Sequence, residues 1–204
     1  MRNAFILLLV LLGGAGLLEV FNILIGPTTP TPPVVSATSA ATSPASSAPG
    51  SLAPLAAKFS NHLLVLGADG EPHAFDASKL AGVKYFAFYY SASWCPPCRA
   101  FTPDLVSFYN DFKPAHPDFE LIFVNDDHSD GDMINYMKGD SMPWPAVWYA
   151  DIDNPDLQAK KYCGPGIPCL VLVDADGNVL SDSFQGDQYL GPRHVLDDIR
   201  SMVP

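Results

Sequence analysis

The pattern of apolar and polar positions changes period several times along this chain, and each change marks an element. Over residues 4–25 the apolar run is nearly continuous, broken by Gly13-Gly14-Ala15-Gly16 and by Glu19 and Asn22. Its length approaches the ~20 residues that span a bilayer, so residues 1–26 read as an uncleaved signal-anchor. A cleaved signal peptide, with Gly14 and Gly16 as the small residues before the cut, is a second reading, and a buried helix of the folded part a third. Arg2 is the only charge before the run, which favours an inside N-terminus and an exported remainder. Residues 27–57 hold seven prolines and no charged side chain. Such a stretch buries too little apolar surface to offset its ordering entropy, and it reads as an extended, partly polyproline linker.

The periodicity of a folded domain occupies residues 58–204. Residues 62–67, followed by Ala68-Asp69-Gly70-Glu71, predict a strand and turn, an N-terminal hairpin. Residues 83–90 form a nearly unbroken apolar and aromatic run, the pattern of a central strand covered on both faces. Phe101, Leu105, Phe108, Tyr109 and Phe112 recur at helical spacing, predicting a helix of about 15 residues that Pro103 should kink. Residues 119–124 read as a second buried strand, and 131–138 and 155–162 as helices. A third strand, 169–173, turns through Asp176-Gly177-Asn178 into Val179-Leu180, and residues 192–202 predict a closing helix.

Charge and cysteine content narrow the chemistry. The net charge of the 204-residue chain is −11, and because Arg2 and Glu19 cancel, all of it lies beyond the linker. That argues against nucleic acid and an anionic lipid surface as partners of the folded part. The four cysteines are Cys95, Cys98, Cys163 and Cys169, too few for a disulfide scaffold in an exported chain of this size. Cys95 and Cys98 are spaced C-x-x-C directly after the central strand run. If a helix begins there, they lie about one turn apart on one face, at the short Cβ separation a disulfide demands. The free N–H groups and positive dipole end of that helix favour a thiolate on Cys95.

Residues 90–103, containing Trp94-Cys95-Pro96-Pro97-Cys98-Arg99, resemble the active-site segment of tryparedoxins and nucleoredoxins. Met142-Pro143-Trp144-Pro145-Ala146-Val147 resembles that family's second signature. Gly166-Ile167-Pro168 before a strand is similar to the loop where thioredoxin folds place a cis-proline facing the cysteines. With the element order β-α-β-α-β-β-α, the resemblance implies an α/β, thioredoxin-like fold: a central mixed sheet flanked by helices, with an N-terminal hairpin extension. It implies a thiol-disulfide oxidoreductase acting on protein disulfides, without a cofactor, supplied by a thiol electron donor. Cys95 is then the exposed nucleophile and Cys98 the buried resolving thiol. Trp94, Ile167 and Pro168 flank the groove for an extended polypeptide. Pro96, Pro97, Tyr89, Arg99 and Trp144 support the pair, Trp144 as a packing element under the active-site face. The resemblance favours reduction; oxidation and isomerisation stay open. Proline is tolerated in a first helical turn, but Pro96 and Pro97 remove two donors a thiolate could use, so a less oxidising couple is expected. The N-terminal segment would hold this chemistry outside the cytoplasm, in the periplasm or an equivalent space, tethered to the membrane.

Two positions depart from the pattern. Thioredoxins proper carry a buried aspartate six positions before the first cysteine, where this chain has Tyr89. After the expected cis-proline, where the family commonly has threonine, stands Cys169. Its readings are a small buried residue opening a strand, a disulfide with Cys163 around Gly164-Pro165-Gly166, or a redox relay to Cys98. The rival function is a copper-binding module using Cys95 and Cys98, with or without Cys169, although no histidine stands at ligand spacing to them. A non-catalytic interaction domain is a third function, disfavoured by the intact C-x-x-C. Residues 125–130 are rich in metal-capable side chains but read as helix capping. Residues 151–156 and 174–178 read as turns, lacking the spacing and terminal glutamate of a calcium loop; no metal site is expected.

Overall fold

The computed structural model describes residues 52–204; the expected anchor and most of the linker lie outside the described residues. Among the described residues, no helix is long and apolar enough to cross a membrane. The described chain opens with helix α1 (Pro54–Phe59), with proline in its first turn, where the missing N–H would have had no intrahelical partner. This corrects the linker boundary expected at residue 57. Leu55, Ala56 and Phe59 are buried, the Leu55 N–H donates to the Ala175 carbonyl at 3.2 Å, and the Phe59 ring lies 5.1 Å from that of Phe88.

Strands β1 (Leu63–Leu66) and β2 (Pro72–Ala74) form the expected hairpin. They are followed by β3 (Tyr85–Ser91), helix α2 (Pro96–Phe112), β4 (Phe119–Asn125), helix α3 (Asp130–Gly139) and the short β5 (Ala146–Val147). Then come β6 (Cys169–Asp174), β7 (Val179–Asp182), a small pair β8 (Phe184–Gln185) and β9 (Gln188–Tyr189), and helix α4 (Pro192–Met202). The main sheet has seven strands in the order β2-β1-β5-β4-β3-β6-β7. At its centre β3 runs parallel to β4 and antiparallel to β6, which makes the sheet mixed.

The alternation of β3 explains its continuous apolar sequence. Ala87 and Tyr89 face a core that includes Leu105 of α2, Met137 of α3 and Ile199 of α4. Phe86, Phe88 and Tyr90 face a second core with Leu55 and Phe59 of α1 and Leu80 and Leu157 of the loops. A strand covered on both sides has no polar face to show.

One predicted helix is corrected. Residues 155–162 hold only a 3₁₀ turn, Ala159–Tyr162, preceded by Gln158 in the left-handed region at φ 50° and ψ 45°. An L-residue held there does not propagate a right-handed helix. Leu157 and Ala159 are buried, so their apolar spacing reflected burial in a loop. α2, in contrast, is one 17-residue helix that includes Pro103. Residues 174–178 form the expected turn: Asp174 Oδ1 accepts the N–H groups of Asp176 and Asn178, both at 2.9 Å, and Gly177 takes φ 85°.

Candidate active site

β3 delivers the chain to the start of α2, and Cys95 is the residue that caps that helix. Its sulfur accepts the Cys98 N–H at 3.3 Å. Cys95 and Cys98 are joined as a disulfide, with Cα atoms 5.2 Å apart. Pro96 and Pro97 occupy the first two helical positions, so it is Cys98 that supplies the helix-end N–H.

The resemblance implied an exposed Cys95, and here the structure corrects it: Cys95 is 3 % exposed and Cys98 0 %. Ala92 and Ile167 pack against the pair. The two still differ in access. A groove of about 500 Å³ is lined by Trp94, Cys95, Pro96, Pro97, Asp126 and residues 163–167, and Cys98 is not among its walls. The Ile167–Pro168 peptide bond is cis, as expected, and the Ile167 carbonyl oxygen lies 3.8 Å from the Cys95 sulfur.

Trp94 forms the opposite wall, 51 % exposed. Its indole N–H donates to the Asp126 carbonyl at 3.0 Å, and its ring stacks on His128 with centroids 5.9 Å apart. Asp127 Oδ1 accepts both the N–H and the hydroxyl of Ser93, at 2.8 and 2.7 Å. Residues 125–130 thus do cap α3, through Ser129, but they also brace Ser93 and Trp94, a role the sequence reading missed. The available signal was positional: Ser91 and Asn125 are register partners on parallel strands, so the loops that follow them emerge at the same sheet edge.

Behind Cys98 a cluster of hydroxyls stands where a carboxylate was missing from the sequence. Thr102 Oγ1 lies 3.0 Å from the Cys98 carbonyl, 2.8 Å from Tyr89 Oη and 2.6 Å from Tyr136 Oη. Tyr136 Oη in turn lies 2.9 Å from Ser91 Oγ. One set of proton positions satisfies these four hydroxyls together. Thr102 donates to Cys98, Tyr89 and Tyr136 donate to Thr102, and Ser91 donates to Tyr136. Burial, reinforced by Tyr136, pushes the Tyr89 hydroxyl far above its ordinary value. Tyr89 is therefore a neutral hydrogen-bonding group at any physiological pH and cannot act as the charged base that an aspartate would be.

The remaining sequence-selected residues separate into groups. Trp144 is fully buried, edge-on to Tyr89 and Tyr109 at 6.3 and 5.5 Å, under the site and away from the groove. Arg99 lies on an exposed depression with Tyr136 and Asp140, also away from the groove. Cys163 is an exposed free thiol on the groove wall, and Cys169 a buried free thiol, so the disulfide allowed between them is not formed. Cys169 opens β6 within the core beside Tyr90, whereas Cys163 faces the groove. Burial pushes the Cys169 thiol up to about 12; burial, with Asp126 adding to it, raises that of Cys163. Among the described residues, no group of three or more His, Cys, Asp or Glu side chains is placed to hold a metal ion.

A disulfide at the amino end of a helix, reached from the central strand of a mixed sheet and faced by a cis-proline, defines a thioredoxin-like thiol-disulfide oxidoreductase domain. Residues 82–179 match the thioredoxin-like family. The chain is 34 % identical to the thioredoxin of Wuchereria bancrofti, covering 96 % of that chain with 69 % of its own, at a TM-score of 0.51. To tryparedoxin I of Leishmania major it is 33 % identical, covering 85 % of that chain with 67 % of its own, again at 0.51. Nucleoredoxin of Danio rerio is 38 % identical over 106 residues, 52 % of this chain and 25 % of the relative. The chain belongs to the thioredoxin-like family and resembles its tryparedoxin and nucleoredoxin members. It spans about a quarter of the length of the curated nucleoredoxin it matches.

Proposed function

We propose that this protein is a protein-disulfide reductase held at the outer side of a membrane, with Cys95 as attacking and Cys98 as resolving thiol. The observation that carries the division of roles is access: Cys95 lines the groove, and Cys98 lies one turn behind it, fully enclosed. In the reduced protein the Cys95 thiolate attacks one sulfur of a client disulfide. The client S–S bond breaks, a mixed disulfide forms, and the other client sulfur leaves as a thiolate. Cys98, deprotonated, then attacks the Cys95 sulfur. The Cys95–Cys98 disulfide forms and the second client thiolate departs. The client has gained two electrons, and a thiol donor must return two to the pair.

Reduction is favoured over oxidation because Pro96 and Pro97 leave the Cys98 N–H as the helix-end donor to the Cys95 sulfur. A strongly oxidising couple owes its potential to a stabilised reduced form, and this site has fewer means to stabilise it. The anchor reading of residues 1–26 supplies the membrane attachment, and a tether confines the site near a membrane-held donor.

The test is a Cys98→Ala variant expressed in the native host. It should accumulate mixed disulfides through Cys95 that dissolve on reduction, while Cys95→Ala accumulates none. Equal adducts from the two variants, or none from Cys98→Ala, would reject the roles given. Trapped partners drawn only from inside the cytoplasm would reject the location.

A further inference from the structure

Past β7 the chain makes a short excursion, β8–β9, before α4. The N–H groups of Leu190 and Gly191 both donate to the Ser183 carbonyl, at 2.8 and 3.1 Å, so the excursion leaves and returns at one residue. Ser183 is itself fixed to the start of β6: its hydroxyl donates to the Leu170 carbonyl at 2.9 Å and accepts the Leu170 N–H at 2.8 Å. From this base the hairpin leans on the loop 163–168, whose residues 163–167 line the groove together with Trp94.

It touches that loop at both ends. The Tyr189 hydroxyl donates to the Pro168 carbonyl at 2.8 Å. The Phe184 ring, 4.8 Å from that of Tyr189, lies so close to Gly164 that any Cβ there would collide with it. Glycine at that position is thus a requirement of the contact. Burial raises the Tyr189 hydroxyl above its ordinary value, so it remains a donor through neutral and mildly alkaline pH.

We propose that Tyr189 is a positioning residue of the redox site: carried on the β8–β9 hairpin, its hydroxyl holds the Ile167–Pro168 edge of the groove in the placement that polypeptide disulfides require. On that reading a polypeptide lies along that edge as it presents a sulfur to Cys95. A small aromatic disulfide makes fewer contacts along that edge than an extended polypeptide does. The hydrogen bond therefore governs binding of large clients more than the chemical step. This inference rests on the reductase reading.

The test uses Tyr189→Phe in the full chain, which keeps the ring and removes only the hydroxyl. The KM for insulin disulfides should rise roughly three- to tenfold, the range one neutral hydrogen bond contributes. The kcat for insulin, and the rate with 5,5′-dithiobis(2-nitrobenzoate), should stay within about twofold. Amide exchange over residues 163–167 should quicken by a similar factor, with that of β3 unchanged. Equal loss on both disulfides, an unaltered KM for insulin, or unaltered exchange in the loop would each overturn the proposal. If the unmodified protein reduces neither disulfide, the reductase reading fails and takes the client preference with it. The exchange measurement then still decides whether Tyr189 holds the loop.

Discussion

Cys169 sits at a position where sequence offered three readings, and its burial separates them by chemistry. It is 0 % exposed, and burial moves its thiol from 9.0 to about 12. The unfolded chain loses that proton near the lower value and the folded chain near the upper. Between the two the folded state binds more protons, so stability falls as pH rises; below the lower value the thiol adds no pH dependence. One proton's worth of linkage is ~1.4 kcal/mol per pH unit. Cys169→Ala removes it, and groups common to both proteins cancel in the comparison, apart from Tyr90 and Tyr189, on which the Cys169 thiolate also acts. The stability difference between the two proteins, from urea titrations with the Cys95–Cys98 disulfide intact, should be constant up to about pH 9 and then shift toward the variant by roughly 1 kcal/mol per unit. Parallel pH profiles would show that the thiol ionises alike in both states. A relay role asks for a thiolate near neutrality, which this site opposes. The same limit on legibility holds behind Cys98. Tyr89 was visible as a departure, but its partners Thr102, Tyr136 and Ser91 come from three different elements. In the sequence they are ordinary polar residues, because what selects them is meeting in space.

Elements were legible in proportion to their length and to the completeness of their burial. β3, β4 and β6 are apolar on both faces and could be read directly. α2 and α4 repeat their apolar positions over several turns. α1, β5, β8 and β9 have two to six residues each, too few to carry a period. Tertiary partners define them: the hairpin through Ser183 and Pro168, α1 through Phe88. Proline and alanine around α1 made it look like the end of the linker. The two readings differ measurably at Phe59, which is 2 % exposed and packed on Phe88. Truncation of a buried phenylalanine costs about 3–5 kcal/mol, whereas substitutions in a disordered segment stay within about 0.5 kcal/mol. Phe59→Ala should therefore lower the unfolding free energy, read as the urea-midpoint shift multiplied by the m-value, by an amount in the first range. A shift in the second range would return residues 54–59 to the linker.

For the whole molecule, chemistry and location belong to different parts of the chain and can be tested apart. The disulfide, the groove and the hairpin that braces the groove's loop all lie within residues 52–204. The proposed anchor is residues 1–26, and the chain from there to residue 51 would reach at most ~75 Å at ~3 Å per residue in a polyproline conformation. On the proposed tether, a membrane-held donor within that radius would meet the site at an effective concentration that free diffusion does not match, a gain of order 10²–10⁴. Deleting residues 2–26 should leave kcat/KM for a soluble protein disulfide within about twofold, because no part of the groove is removed. In the native host the shortened protein should leave the membrane fraction, and the Cys98→Ala protein lacking residues 2–26, neither exported nor tethered, should lose its mixed disulfides with membrane proteins. If the unshortened chain is already in the soluble exported fraction, the N-terminal run is a cleaved signal and the tether is lost from the proposal. If the shortened chain stays with the membrane, attachment must come from the folded unit. The acidic balance of that unit speaks against an anionic lipid surface, so a protein partner would then be the place to look.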